Sequence, residues 1–324
     1  MTGLRRRALL LAPPLLALPV IARAQAAWPD RPVRWINPGP AGGAGDVLSR
    51  LVGDRLSARL GQPVVIDNRP GAGTNIGMTA VAHSAPDGYT VGLASIASNA
   101  ANKWLYANMP FDAEKDFAAI GMIALVPNIV VIPPSIPPRS LTEFIAWAKG
   151  LGRPLNFGSV GIGSSQHLAA AQFGLITGIE IIHAPYNQAG QMNTDLIEAR
   201  LDVLFQSISA VASMAQAGRM RPIAVSGPDR VPAFPDLPTM REQGVDVTTT
   251  GWFGLATPAG VPEPILAKLD ETLTASLEEP ALRQRIITGG SIPTIMRRAA
   301  FARFMAEQTE TMGAIIRATG ARTN

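Results

Sequence analysis

Asn37-Pro38-Gly39-Pro40-Ala41-Gly42-Gly43-Ala44-Gly45-Asp46 follows a short apolar run, Val33-Arg34-Trp35-Ile36, and opens a helical pattern. The run reads as a strand, bounded by Pro32 and the glycine turn. Beyond the turn, Val47, Leu48, Leu51, Val52, Leu56 and Leu60 share one helical face, and Gly61 with Pro63 marks the stop. Val64-Val65-Ile66 then repeats the arrangement. It runs into Asn68-Arg69-Pro70-Gly71-Ala72-Gly73-Thr74-Asn75-Ile76-Gly77 and a short helix from Ile76 to His83. Pro86-Asp87-Gly88 is a turn, and Thr90-Val91-Gly92-Leu93 is a third strand. This order predicts an α/β fold whose parallel strands are joined by right-handed crossovers, with ligands at their carboxyl ends.

Each turn sits at a helix start, where backbone N–H groups and the positive end of the helix dipole can hold an anion without a cationic side chain. Gly42-Gly43 also lets a ligand approach the backbone closely. A third loop, Gly158-Ser159-Val160-Gly161-Ile162-Gly163-Ser164-Ser165, repeats the arrangement and adds hydroxyls. Three such loops point to a small carboxylate or phosphate, although each alone is equally a tight βα connection. No Lys-Ser/Thr follows Gly45, as a Walker loop requires, and no dinucleotide fingerprint with its acidic partner is present.

The first 26 residues read as an export signal: Arg5, Arg6 and Arg7, an apolar stretch from Ala8 to Ala22 broken by Pro13, Pro14 and Pro19, then small residues between Ala24 and Ala26 for cleavage. Arg6-Arg7 resembles a twin-arginine signal, and the general and twin-arginine routes both stay open. The expected location is the periplasm. This segment carries four arginines and no acid, so the remainder balances 24 basic against 24 acidic residues. The basic character belongs to the leader, and no nucleic-acid partner is expected. The chain has no cysteine, which removes thiol catalysis and cysteine-held metals.

About 298 remaining residues usually make two domains of roughly 100–150 each. Ile129-Val130-Val131-Ile132 and a proline-rich stretch mark a change, after which Ser140 with Glu143 forms a capping box and a second αβ series begins. Pro228 to Pro238 reads as the return crossing. The expected division is 27–125 plus 229–324 for one domain and 126–228 for the other, with a hinge of two crossing strands and a ligand cleft between.

Ser159, Ser164 and Ser165 leave an exported serine hydrolase as an alternative, with His167 or His183 as base. Yet the loop is not a G-x-S-x-G elbow, and Ser165 and His167 do not face each other on a helix. His83, His167 and His183 lack metal-ligand spacing; no metal and no cofactor is expected. His167 is placed near the cleft, His83 at the surface and His183 in a structural role. Asp46 also serves as a helix cap, and Trp35, Trp104, Trp147 and Trp252 read as core.

The stretches WPDRPVRWINPGPAGGAGD, GQPVVIDNRPGAGTNIG, APDGYTVGLAS, FDAEKDFAAIG, LNFGSVGIGSSQHLA, HAPYNQAG and WFGLATPAGVP together resemble the Bug-type extracytoplasmic solute receptors, the binding proteins of tripartite tricarboxylate transporters. The resemblance runs from Trp28 almost to the C-terminus. It implies a two-domain periplasmic-binding-protein fold, type II-like, closing over a small carboxylated solute in the interdomain cleft. It implies membrane transporter subunits as partner, no catalysis, and a monomer; a sensory receptor of the same fold is a further alternative. Carried over, the ligand residues are Ala41, Gly42, Gly43 and Asp46, Ser95 and Ser98, and Ser159, Ser164, Ser165 and His167, joined by Asn187 and Gln206. Three neutral amides depart from the family pattern: Asn99 for a common histidine, Asn187-Gln188 for Lys-Gly, and Gln206 for a frequent aspartate. The pocket is therefore expected to be less charged than is usual, suiting a neutral, hydroxylated or aromatic tail on the acid.

Overall fold

The computed structural model describes residues 28–227, 229–247 and 249–320. The expected export signal lies outside them. The first series is β1 (Val33–Asn37), α1 (Ala44–Leu60), β2 (Val64–Asn68), α2 (Asn75–Ala82) and β3 (Thr90–Ser95), then a wide turn at Ala97–Ala101 and α3 (Asn102–Leu105). β4 (Phe117–Val126) passes through Pro127 into β5 (Asn128–Ile132). The second series is α4 (Leu141–Gly150), β6 (Leu155–Ser159), α5 (Ser165–Thr177), β7 (Ile181–Pro185), α6 (Ala189–Ile197), β8 (Val203–Ser207), α7 (Ile208–Gln216) and β9 (Arg221–Ser226). The chain closes with β10 (Gly251–Pro258), α8 (Glu263–Leu277), α9 (Pro280–Thr288), β11 (Ile292–Arg297) and α10 (Arg298–Thr319).

These strands form two sheets, ordered β11-β4-β10-β3-β1-β2 and β7-β6-β8-β5-β9. β1 pairs in parallel with β2 (Val33↔Val64 to Asn37↔Asn68) and with β3 (Trp35↔Val91), as the glycine-turn reading requires. Both sheets are nonetheless mixed. β10 is antiparallel to β3 and β4, and β5 is antiparallel to β8 and β9. The strands adjoining the two crossings are thus the ones that reverse direction.

Each lobe has its own core. In the first, Leu48, Val52 and Leu56 of α1 pack with Trp35, Val91 and Leu93 and with Leu269 and Leu273 of α8. Each such side chain contributes about 1.5–3 kcal/mol on burial. In the second, Phe144, Phe157, Phe173 and Phe205 gather around Val130 and Ile132. α4 starts at the expected cap: Ser140 Oγ accepts from the Glu143 N–H at 3.2 Å, while the Glu143 carboxylate accepts from the Arg139 N–H at 2.7 Å.

The sequence pattern misses β4 and β11. β4, Phe-Ala-Ala-Ile-Gly-Met-Ile-Ala-Leu-Val, is covered on both faces: Ile120 and Ile123 face the α8 side, and Phe117 and Met122 face Phe301 and Met312 of α10. A strand buried on both faces has no alternation to reveal it. The return crossing also falls later than 228. Val225 bridges to Thr239, and Met240, Val245 and Val247 pack in the core of the second lobe. Ser226 Oγ donates to the Thr249 carbonyl at 3.0 Å, just before β10 begins.

The lobes touch at glycines. A Cβ on Gly73 would lie 2.9 Å from the Ile162 carbonyl oxygen and 2.5 Å from Tyr106 Oη. A Cβ on Gly290, in the turn before β11, would lie 1.9 Å from Cγ2 of Ile208, the first residue of α7.

Candidate functional site

α1 begins at Ala44, so the N–H groups of Ala44, Gly45 and Asp46 have no carbonyl one turn back, and no other acceptor serves them among the described residues. α5 begins at Ser165, which leaves the amides of Ser165 and Gln166 in the same state. Both helix starts line one cleft between the lobes, with about 600 Å³ of empty space, open solvent at its mouth included. Gly43, Ala44, Gly45, Thr74 and Ser95 form the side of the first lobe, and Ser164, Ser165, Gln166 and Ser207 the side of the second. Leu93, Ile96, Val126, Val160, Trp252 and Phe253 supply apolar walls. No lining residue is ionisable.

Of the residues singled out in the sequence, Gly43, Ser95, Ser164 and Ser165 line this cleft. The others do not. Ala41 and Gly42 are exposed on the outer side of the turn. The Gly42 N–H donates to Asp46 Oδ2 at 2.9 Å, and the Gly43 N–H donates to the Pro40 carbonyl at 3.2 Å. Asp46 is therefore the clasp of the turn. Burial alone would raise its pKa, but the Gly42 N–H, Arg50 and Asn68 outweigh burial and hold it below the usual carboxylate range. The free amides accordingly move two residues down the chain, to Ala44 and Gly45. Asn37 locks the turn from beneath: its Nδ2 donates to Asn68 Oδ1 at 3.1 Å, and its Oδ1 accepts from the Gly39 N–H at 3.2 Å.

Ser98 stands behind Ser95. Their hydroxyls are 3.0 Å apart, and Ser98 Oγ donates to Asn99 Oδ1 at 2.6 Å. Asn187 is exposed, away from the cleft. Gln206 is fully buried one layer back, where its Oε1 accepts from Gln166 Nε2 at 2.8 Å and from the Ser207 N–H at 2.9 Å. Gln166 also accepts from the Val160 N–H at 3.1 Å, so one neutral amide pair ties the serine loop to the end of β8. Trp35 is core as expected, whereas Trp252 is buried and also lines the cleft. Two polar atoms on lining residues, Thr74 Oγ1 and Trp252 Nε1, have no hydrogen-bond partner in the protein.

His167 and His183 lie under the serine loop rather than in the cleft. Their rings are 4.5 Å apart, and His183 stacks on Phe157 at 4.8 Å. His167 Nδ1 accepts from the Gly163 N–H at 3.3 Å, and His183 Nε2 meets Ser159 Oγ at 2.7 Å. Burial lowers the His167 pKa to about 4; burial, then the neighbouring His167, lowers that of His183 to about 3. Both rings are neutral at neutral pH. The hydrolase alternative has no geometry to use. Ser164 Oγ donates to the Gly161 carbonyl at 2.7 Å and Ser165 Oγ to Asn128 Oδ1 at 3.2 Å, while the serine that does meet a histidine, Ser159, has no exposed surface. Among the described residues no group of three His, Asp or Glu could hold a metal, and no helix is long and apolar enough to cross a membrane.

Two lobes, each a mixed sheet with flanking helices, joined by crossing strands over a shared cleft, define a solute-binding protein of the periplasmic type. The chain belongs to the tripartite tricarboxylate transporter family receptors (TctC), whose family model matches residues 48–321. It is 32% identical to protein BugT of Bordetella pertussis over 309 residues, covering 95% of this chain and 94% of BugT. An R. palustris protein solved with adipate is 33% identical, with a TM-score of 0.88 over 90% of this chain and 98% of that one. MatC from Rhodopseudomonas palustris, solved with bound malate, is 26% identical, with a TM-score of 0.84 over 89% and 100%. The protein is a receptor, not an enzyme.

Proposed function

We propose that the protein captures a small organic carboxylate in the periplasm by closing its lobes, and delivers it to the membrane subunits of a tripartite tricarboxylate-type transporter. One observation carries this reading: two helix starts from different lobes bring unpartnered amides to one cleft that holds no cation. Charge-assisted hydrogen bonds of this kind contribute about 1.5–3 kcal/mol each. The ligand contacts are assigned to the amides of Ala44 and Gly45 from the first lobe, the amides of Ser165 and Gln166 from the second, and the hydroxyls of Ser95 and Thr74. Closure brings the two sets together, and the closed form is what a transporter reads. Residues 1–26 direct export, and the receptor works as a monomer. The adipate- and malate-bound relatives support the class of solute.

Thermal-shift and calorimetric screening with mono-, di- and tricarboxylic acids tests the proposal. Stabilisation by at least one class is the expected result. Correctly folded protein that no small acid stabilises would sink it.

A further inference from the structure

We infer that the solute carries a single carboxylate on a compact apolar body, and that the cleft rejects acids with a second carboxylate. This rests on the receptor reading above and narrows it. The argument is an inventory of donors. One carboxylate can be met by the helix-start amides of α1 and α5. The other polar side chains facing or backing the cleft are already closed on one another. Gln166 is held by Gln206, Ser207 and the Val160 N–H. Ser165 donates to Asn128, Ser164 to the Gly161 carbonyl, and Ser95 pairs with Ser98, which donates to Asn99. The amides that replace charged residues of the family pattern are thus spent inside the wall, not offered to the solute.

What remains on lining side chains without a protein partner is Thr74 Oγ1 and Trp252 Nε1, each a single neutral donor. The rest of the wall is Leu93, Ile96, Val126, Val160, Trp252 and Phe253, with no lysine, arginine or histidine among the lining residues. A second carboxylate there would lose its water and gain no counter-charge, which is strongly unfavourable. An apolar chain or ring in the same place gains by burial.

Calorimetric titration of the full mature chain with matched pairs decides the matter: hexanoate against adipate, which share a six-carbon chain, and benzoate against terephthalate. The expected result is that the monoacid of each pair binds at least roughly 100-fold tighter than its diacid. The variant Val160→Lys, which places a cation in the wall, is expected to raise adipate affinity and lower hexanoate affinity. Adipate binding as tightly as hexanoate overturns this inference while upholding the receptor proposal. A folded Val160→Lys protein that gains nothing for adipate overturns it too. No binding by any of the four acids, with an intact melting transition, overturns both.

Discussion

At the first glycine turn, residues 37–46, the chain enters α1 with its free amides facing the cleft and a carboxylate clasping the outside. At the second, residues 68–77, it enters α2 through Gly71, Ala72, Gly73 and Thr74, all at positive φ (128°, 45°, 59° and 81°). The tip is held by Asn102, whose Nδ2 donates to the Gly73 carbonyl at 2.7 Å, and it presses on the loop of the other lobe. Two turns with near-equal glycine content therefore divide the labour: one receives the solute, and the other meets the opposing lobe. The difference lies in what restrains the tip. Asp46, one turn into α1, reaches back and shapes a concave mouth, whereas the second turn has no such acid and spends strain instead. Ala72 and Thr74 in the left-handed region store about 1–2 kcal/mol each.

The sharpest way to break this contrast is Gly45→Val. A Cβ there would sit 2.8 Å from Leu93 Cδ2 and 3.0 Å from Asn37 Oδ1, within the cleft wall. Solute affinity is expected to fall about 100-fold, near 3 kcal/mol, by calorimetry. Next, Asp46→Ala leaves the Gly42 N–H and Asn68 Nδ2 without their acceptor, and denaturant unfolding should show a loss of about 1–3 kcal/mol. Gly73→Ala acts on closure instead. Its Cβ would strike backbone of the other lobe, so apparent affinity should drop about tenfold. A loss as complete as that of Gly45→Val would show that the second turn touches solute after all.

The third loop sets the smallest test. His167, held neutral with a pKa of about 4, binds a proton more readily in the unfolded chain. Unfolding is thus favoured as pH falls below the ordinary histidine value of about 6.5 toward about 4, by at most about 1.4 kcal/mol per pH unit. Melting curves between pH 7 and 5 should show this slope, and His167→Gln should flatten it.

The alternation of turns and amphipathic runs made β1, α1, β2 and β3 legible, and the Ser140 cap foretold α4. The cleft loops were legible as well, because strand-to-helix glycines have few other uses. Which amides are free was not. That depends on whether a residue four positions on, here Asp46, folds back onto the turn, and a carboxylate at the third helical position was the available signal. Gln166 went unnoticed because one amide side chain carries no charge pattern; its meaning comes only from Gln206, 40 residues away. Asn187 shows the reverse error. A departure from a family motif suggested the cleft, yet the residue is exposed on the rim of α6. β4 escaped because burial on both faces erases periodicity.

Gly290 has a consequence of its own. It fills the narrow gap at the start of α7, next to Ser207, where any larger side chain would act as a doorstop. The resting balance between ajar and shut is thereby set by an atom that is missing, at a place the guest never visits. Appetite for the solute can be dialled down across generations by wedging this pivot, with every contact inside the mouth left as it was.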